Sequence, residues 1–155
     1  MKKSTVFALA VSITSSIAFS KSPFTKETMM AFVEESAKHI EKVGKDKAFK
    51  DFQDLKGKFV RENGELYMFC NDFEGISLVL PPKPENLGTN MINTVDPDGI
   101  KFVQKMIEMA KKNNGHGSGT VKYHFVNPKS KKVEKKEGYV KGFGNFFCGS
   151  GVYLD

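Results

Sequence analysis

Arginine is almost missing from this chain of 155 residues: Arg61 is the single one, and lysine carries nearly all the positive charge. Base-reading proteins favour arginine for its planar fork of donors. The formal charge of +6 therefore reads as a solvated lysine surface, and no nucleic-acid partner is expected. Histidine is scarce too. His39, His116 and His124 stand at no metal-ligand spacing, so no metal site is expected. There is no C-x-x-C pair, P-loop or dinucleotide fingerprint, and hence no expected cofactor. The stretch "GHGSG" is not a nucleophile elbow, because Ser118, like Ser150, sits between adjacent glycines. A thiol nucleophile built from Cys70 or Cys148 with His124 is disfavoured, since cysteines in apolar strands more often pack or bridge. These absences argue against an enzyme. Beyond the N-terminus no hydrophobic run could span a bilayer.

The N-terminus supplies the one long apolar run. In "MKKSTVFALAVSITSSIAFSKSP" Lys2 and Lys3 precede a stretch from Val6 to Phe19 broken only by serine and threonine. Ala18-Phe19-Ser20 then offers a small-x-small cleavage site. This is the pattern of a bacterial secretory signal peptide covering residues 1–20, too short and too diluted for an anchor. No lipobox cysteine lies near the cut. Cleavage after about Ser20 leaves residues 21–155 as one domain, with the charge reduced to +4 by loss of Lys2 and Lys3. The expected location is periplasmic, with no membrane span in the mature form. Export permits a disulfide between Cys70 and Cys148, but two buried thiols fit the sequence equally well.

Hydrophobic periodicity sets out the elements. Met29, Val33, Ala37 and Ile40 form one helical stripe, broken at Gly44. Phe49, Phe52 and Leu55, three apart, predict a second short helix stopped near Gly57. "GELYMFC" predicts a strand from Leu66 to Cys70, "NDFEG" a turn, and "ISLVLPP" a return strand ended by Pro81-Pro82. A loop, "KPENLGTNMINTV", precedes "DPDGIKFVQKMIEMAKK". That segment reads as a helix with Asp96 as N-cap and Pro97 at its first position. Ile100, Val103, Met106, Ile107 and Ala110 form its buried face. Three strands follow. Val121, Tyr123 and Phe125 share a face of the first, Tyr139 and Lys141 a face of the second, and the third is "FFCGSGVYLD". "PKSKKVEKK", from Pro128 to Lys136, reads as the exposed tip of the hairpin between the first two. Short turns pair such strands antiparallel, giving an α+β fold with a five-stranded sheet and helices laid on it.

Four stretches in this order resemble the single Cache domain, an extracytoplasmic relative of the PAS fold. "NGELYMFCNDFEG" is similar to the family's first strand and turn, and "DPDGIKFVQKMIEMAKKNNGHG" to its central helix. "VKYHFVNPKSKKVEKKEGYVK" resembles its strand–turn–strand signature, and "GSGVYLD" its closing Gly-x-Gly-x-Tyr strand. The chain departs from the pattern at Phe125, Gly138 and Leu80-Pro81, where the family often has Trp, Ser or Thr, and His-Pro. The resemblance implies a PAS-like sheet with a long N-terminal helix, a covering helix and a covering loop. It also implies a ligand between sheet and cover, in many relatives a short carboxylate such as acetate, propionate, pyruvate or lactate.

A buried carboxylate needs cationic or N–H partners. Tyr139 and Lys141 are expected to supply hydroxyl and ammonium, Tyr123 and Phe125 the wall, with Lys136 and Tyr67 behind them. Asn90 and Met91 are expected to close the pocket from the loop. Gly149 and Gly151 lack side chains where a helix or ligand approaches the sheet. In receptors of the family the closing strand feeds a membrane helix. A chain stopping there would be a free-standing ligand-binding module working with a separate membrane sensor kinase or chemoreceptor. The alternative is a non-catalytic interaction or structural protein with a Cache-like fold and no free ligand.

Overall fold

The computed structural model describes residues 22–154, so the expected leader at 1–20 lies outside the described residues. The first element is helix α1, Lys26–Val43. Thr25 caps it, and Thr28 returns a bond to the Thr25 amide, closing a capping box. Its buried face holds the expected Met29, Val33, Ala37 and Ile40, widened by Phe32 and Ser36.

Helix α2, Lys45–Gln53, is shorter than expected. It buries Ala48 and Phe52, while Leu55 falls beyond its end and is 62% exposed. Asp54 is already in extended backbone, so the helix stops before Leu55 and does not turn it onto the buried face. His39 of α1 is half-buried. Its Nε2 lies 2.8 Å from Asp51 of α2, and its ring packs 4.8 Å from that of Phe59.

The strand expected from Leu66 to Cys70 is two strands parted at Met68. β1 (Val60–Arg61) pairs with β2 (Leu66–Tyr67) in a small ribbon, and β3 (Phe69–Asp72) joins the main sheet. β4 (Ser77–Val79) returns antiparallel to β3. The central helix, α3, runs Phe102–Gly115 and begins five residues later than an Asp96 cap would require. Gly99 has φ +77°, a left-handed turn that no helix continues through. Asp96 caps that turn instead. Its carboxylate accepts the amides of Asp98 (3.0 Å) and Ile100 (2.8 Å). β5 (Ser118–Val126), β6 (Val133–Gly142) and β7 (Phe146–Tyr153) complete the sheet in the order β4-β3-β7-β6-β5, antiparallel throughout.

Helices cover both faces of this sheet, and two cores result. On the α1 side Met29, Phe32 and Phe52 pack against Phe146, Cys148 and Val152. On the α3 side Val103, Met106 and Ala110 pack against Val121, Tyr123, Val140 and Phe147. β7 is buried along its whole length, so Phe146 and Phe147 point into different cores. Cys70 of β3 and Cys148 of β7 lie opposite one another and are joined by a disulfide.

Candidate functional site

A cavity of about 40 Å³ lies on the α3 side of the sheet. β2 and β3 supply Tyr67, Phe69 and Asn71, and Ser77 and Leu80 continue the wall beside them. α3 contributes Phe102, Val103 and Met106, and β5 contributes Tyr123 and Phe125. Phe102 stacks on Tyr123 with ring centres 4.6 Å apart and meets Phe125 edge-on at 6.1 Å. Met91 lines the cavity from the covering loop. That loop is stitched to β4: the Ser77 amide donates to Thr89 O (2.9 Å), and the Gly88 amide to Ser77 O (2.8 Å). Asn90, expected to close the pocket, is exposed and outside its wall. Its side-chain oxygen accepts the Ile92 amide at 2.9 Å and shapes the loop.

Lys136 is the unusual residue of this region. The sequence placed it at the end of an exposed hairpin tip, but β6 already begins at Val133 and carries Lys136 inward, to 1% exposure. Its Nζ donates to the hydroxyls of Tyr67 (3.0 Å) and Tyr153 (3.4 Å). The rings of Tyr67, Tyr153 and Phe125 stand 4.3, 4.7 and 5.5 Å from it. Cation–π attraction and two phenol oxygens thus solvate the ammonium, and among the described residues no carboxylate forms an ion pair with it. Burial lowers the pKa of Lys136 to about 7 and raises those of Tyr67, Tyr123 and Tyr153. Lys136 lies behind the cavity wall, touching it through Tyr67 and Phe125. Gly151 makes room for it: a Cβ there would stand 2.6 Å from Lys136 Cε.

Tyr139 and Lys141 are not part of this site. The β5–β6 register sets Tyr123 opposite Lys136 and Thr120 opposite Tyr139, and opposite residues share a face. Tyr139 and Lys141 therefore face α1. There Glu34 accepts from Lys141 Nζ at 2.7 Å and from the Tyr139 hydroxyl at 3.3 Å. Of the residues singled out in the sequence, the structure gathers Tyr67, Met91, Tyr123 and Phe125 around the cavity, with Lys136 behind. Phe69, Asn71, Ser77, Leu80, Phe102, Val103 and Met106 were missed as lining residues. Val103 and Met106 were legible as a buried helix face, and Phe69 and Asn71 continue the alternation from Tyr67.

A second cluster lies at the edge of the sheet. Asp96, Asp98 and His124 bring ligand-type atoms within 4.8 Å of one another. His124 Nδ1 stands 3.1 Å from Asp98 Oδ2, and its backbone amide donates to Asp96 Oδ2 at 2.8 Å. Burial alone would raise the Asp96 pKa, but amide bonds from Ile100, His124 and Asp98 outweigh it and lower it. The carboxylate acts here as a clamp tying the loop before α3 to β5.

The architecture is thus an antiparallel sheet covered by helices, with a small cavity under one of them. A family model described as Cache domain matches residues 16–155, and the chain belongs to the Cache domain family. It is 31% identical over 91 residues to the sensor histidine kinase MctS of Rhizobium johnstonii, an alignment covering 57% of this chain and 19% of that kinase. The fold matches that of a methyl-accepting chemotaxis protein from Vibrio parahaemolyticus. There the TM-score is 0.71 and the identity 19%, over 84% of this chain and 88% of the other. It also matches a Cache chemosensory domain solved to explain carboxylic acid recognition. That TM-score is 0.68 at 24% identity, over 83% of this chain and 92% of the other.

Proposed function

We propose that the protein is a periplasmic sensor module. In this reading it binds a short monocarboxylate in the α3-side cavity and signals through a separate membrane partner, a sensor kinase or chemoreceptor. The observation that carries this reading is Lys136: a buried ammonium with no carboxylate partner among the described residues, set beside a small cavity. Burying a charge without a counter-charge is costly, and an entering anion offsets that cost. Size narrows the ligand. A water needs at least ~10–15 Å³ of such space, so 40 Å³ suits a molecule of a few heavy atoms. Charge narrows it further. No aspartate or glutamate lines the cavity to receive an ammonium, which disfavours amines and amino acids. Carboxylic acid recognition by a Cache domain of the same fold supports the assignment. The module is read as non-catalytic and as needing no cofactor.

The small volume of the cavity favours one other reading, an interaction module whose pocket its own side chains fill. A thermal-shift screen separates the two. A C2–C4 carboxylate at a hundred times its dissociation constant adds ~2.7 kcal/mol, roughly 5–10 °C for a domain of this size. That shift is expected to vanish in Lys136→Met and to survive in Lys141→Ala. A flat response across carboxylates, amines and amino acids selects the interaction module.

A further inference from the structure

Lys136 holds its proton weakly. The groups facing its Nζ are the phenols Tyr67 from β2 and Tyr153 from β7, and the Phe125 ring from β5. α3 adds the uncharged Phe102 and Met106 to the neighbouring wall. The surrounding charges do not neutralise it. Lys83 stands over the same Phe125 ring at 5.8 Å, a second cation. Glu134, two residues along β6, is engaged by Asn127 Nδ2 (2.8 Å) and Ser130 Oγ. His124 is turned towards Asp96 and Asp98. A neutral amine fits such a cage without a counter-charge, whereas an ammonium lacks one until an anion arrives.

Resting on the carboxylate reading of the cavity, we propose that ligand capture is proton-coupled. Each carboxylate that enters draws one proton from solvent onto Lys136, so the site gains affinity as its surroundings acidify. No covalent bond forms; the amine behind the wall becomes an ammonium, and its charge reaches the anion in the cavity through the hydroxyl of Tyr67, which lines it. Linkage makes the effect reciprocal, because the ligand raises the proton affinity of Lys136 by the factor that the proton raises ligand affinity. Burial sets the free-protein pKa of this lysine at about 7. Below that pH the lysine is already charged and affinity is flat. Above it, affinity falls tenfold per pH unit until the pKa of the complex is reached, about 30-fold between pH 6 and pH 8.5.

The test is calorimetric titration of the protein with sodium acetate near pH 6 and near pH 8.5, each in two buffers of different ionisation heat. The expected result is a weakening of about 30-fold, with uptake approaching one proton per acetate at the higher pH and little at the lower. His124→Asn is expected to keep this slope; its loss there would move the proton to His124 and overturn the proposal. Acetate binding with equal affinity at both pH values and no buffer-dependent heat overturns the coupling while leaving the carboxylate reading standing. Acetate and propionate failing to bind at either pH overturns both.

Discussion

The two faces of the sheet treat lysine in opposite ways. On the α1 face Lys141 ends 2.7 Å from Glu34, and Lys26 reaches Glu137 at 2.7 Å, so cations meet carboxylates and the helix is fastened to the sheet. On the α3 face, among the described residues, the Lys136 ammonium donates to phenols and lies over aromatic rings without a carboxylate ion-pair partner, behind the cavity wall. Both arrangements come from one strand, β6, whose successive side chains alternate between faces. A paired charge serves adhesion. An unpaired buried charge is a standing cost that the dipoles and rings around it offset only in part.

This contrast can be broken from either side. The largest effect is expected on the α1 face, where Cys70–Cys148 closes a loop with a sequence separation of 78. Replacing both cysteines by alanine should lower stability by about 4 kcal/mol, read by urea unfolding. Acetate affinity measured under native conditions should change little, since the disulfide belongs to the other core.

The next effect has a sign that depends on pH. The Lys136 pKa is lowered in the folded state, from 10.5 to about 7, so the unfolded chain binds this proton more strongly. Stability from this group therefore rises as pH climbs from about 7 to about 10.5 and levels off outside that window. Lys136→Met should melt higher than wild type near pH 6, and the gap should narrow as pH rises towards 9. A gap that is constant over that range would mean the lysine is not desolvated as described.

The smallest effect belongs to Lys141→Ala. The pair it breaks is partly exposed on both sides, so the loss should be no more than ~1 kcal/mol and shrink with added salt. A larger loss would mean that the two faces are not so differently built.

Much of the fold was legible because most strands carry alternation or a run of β-favouring residues, and their turns carry glycine, proline or asparagine. The five-strand sheet and the stripe of α1 follow from those local signals. The site was less legible, because which strand faces share a cavity depends on register, and register is set by pairing across a loop. The β5–β6 loop leaves Val126 opposite Val133. Tyr139 is thereby brought level with Thr120, where the sequence alone had suggested one surface holding Tyr123 and Tyr139 together. Asp96 shows the same limit. A serviceable helix cap by local rules, it is taken by a turn at Gly99 and by the His124 amide 28 residues away.

The position of β7 has a mechanical consequence. It is the middle strand, bonded to β3 along one edge and β6 along the other, and covalently stapled to β3. A pull along its axis would have to shear two ladders at once, with a sulfur link as a stop, so this strand transmits displacement rather than absorbing it. Lys136 rests against Gly151 of that same strand, so any shift of its side chain is felt directly by the strand that both ladders hold.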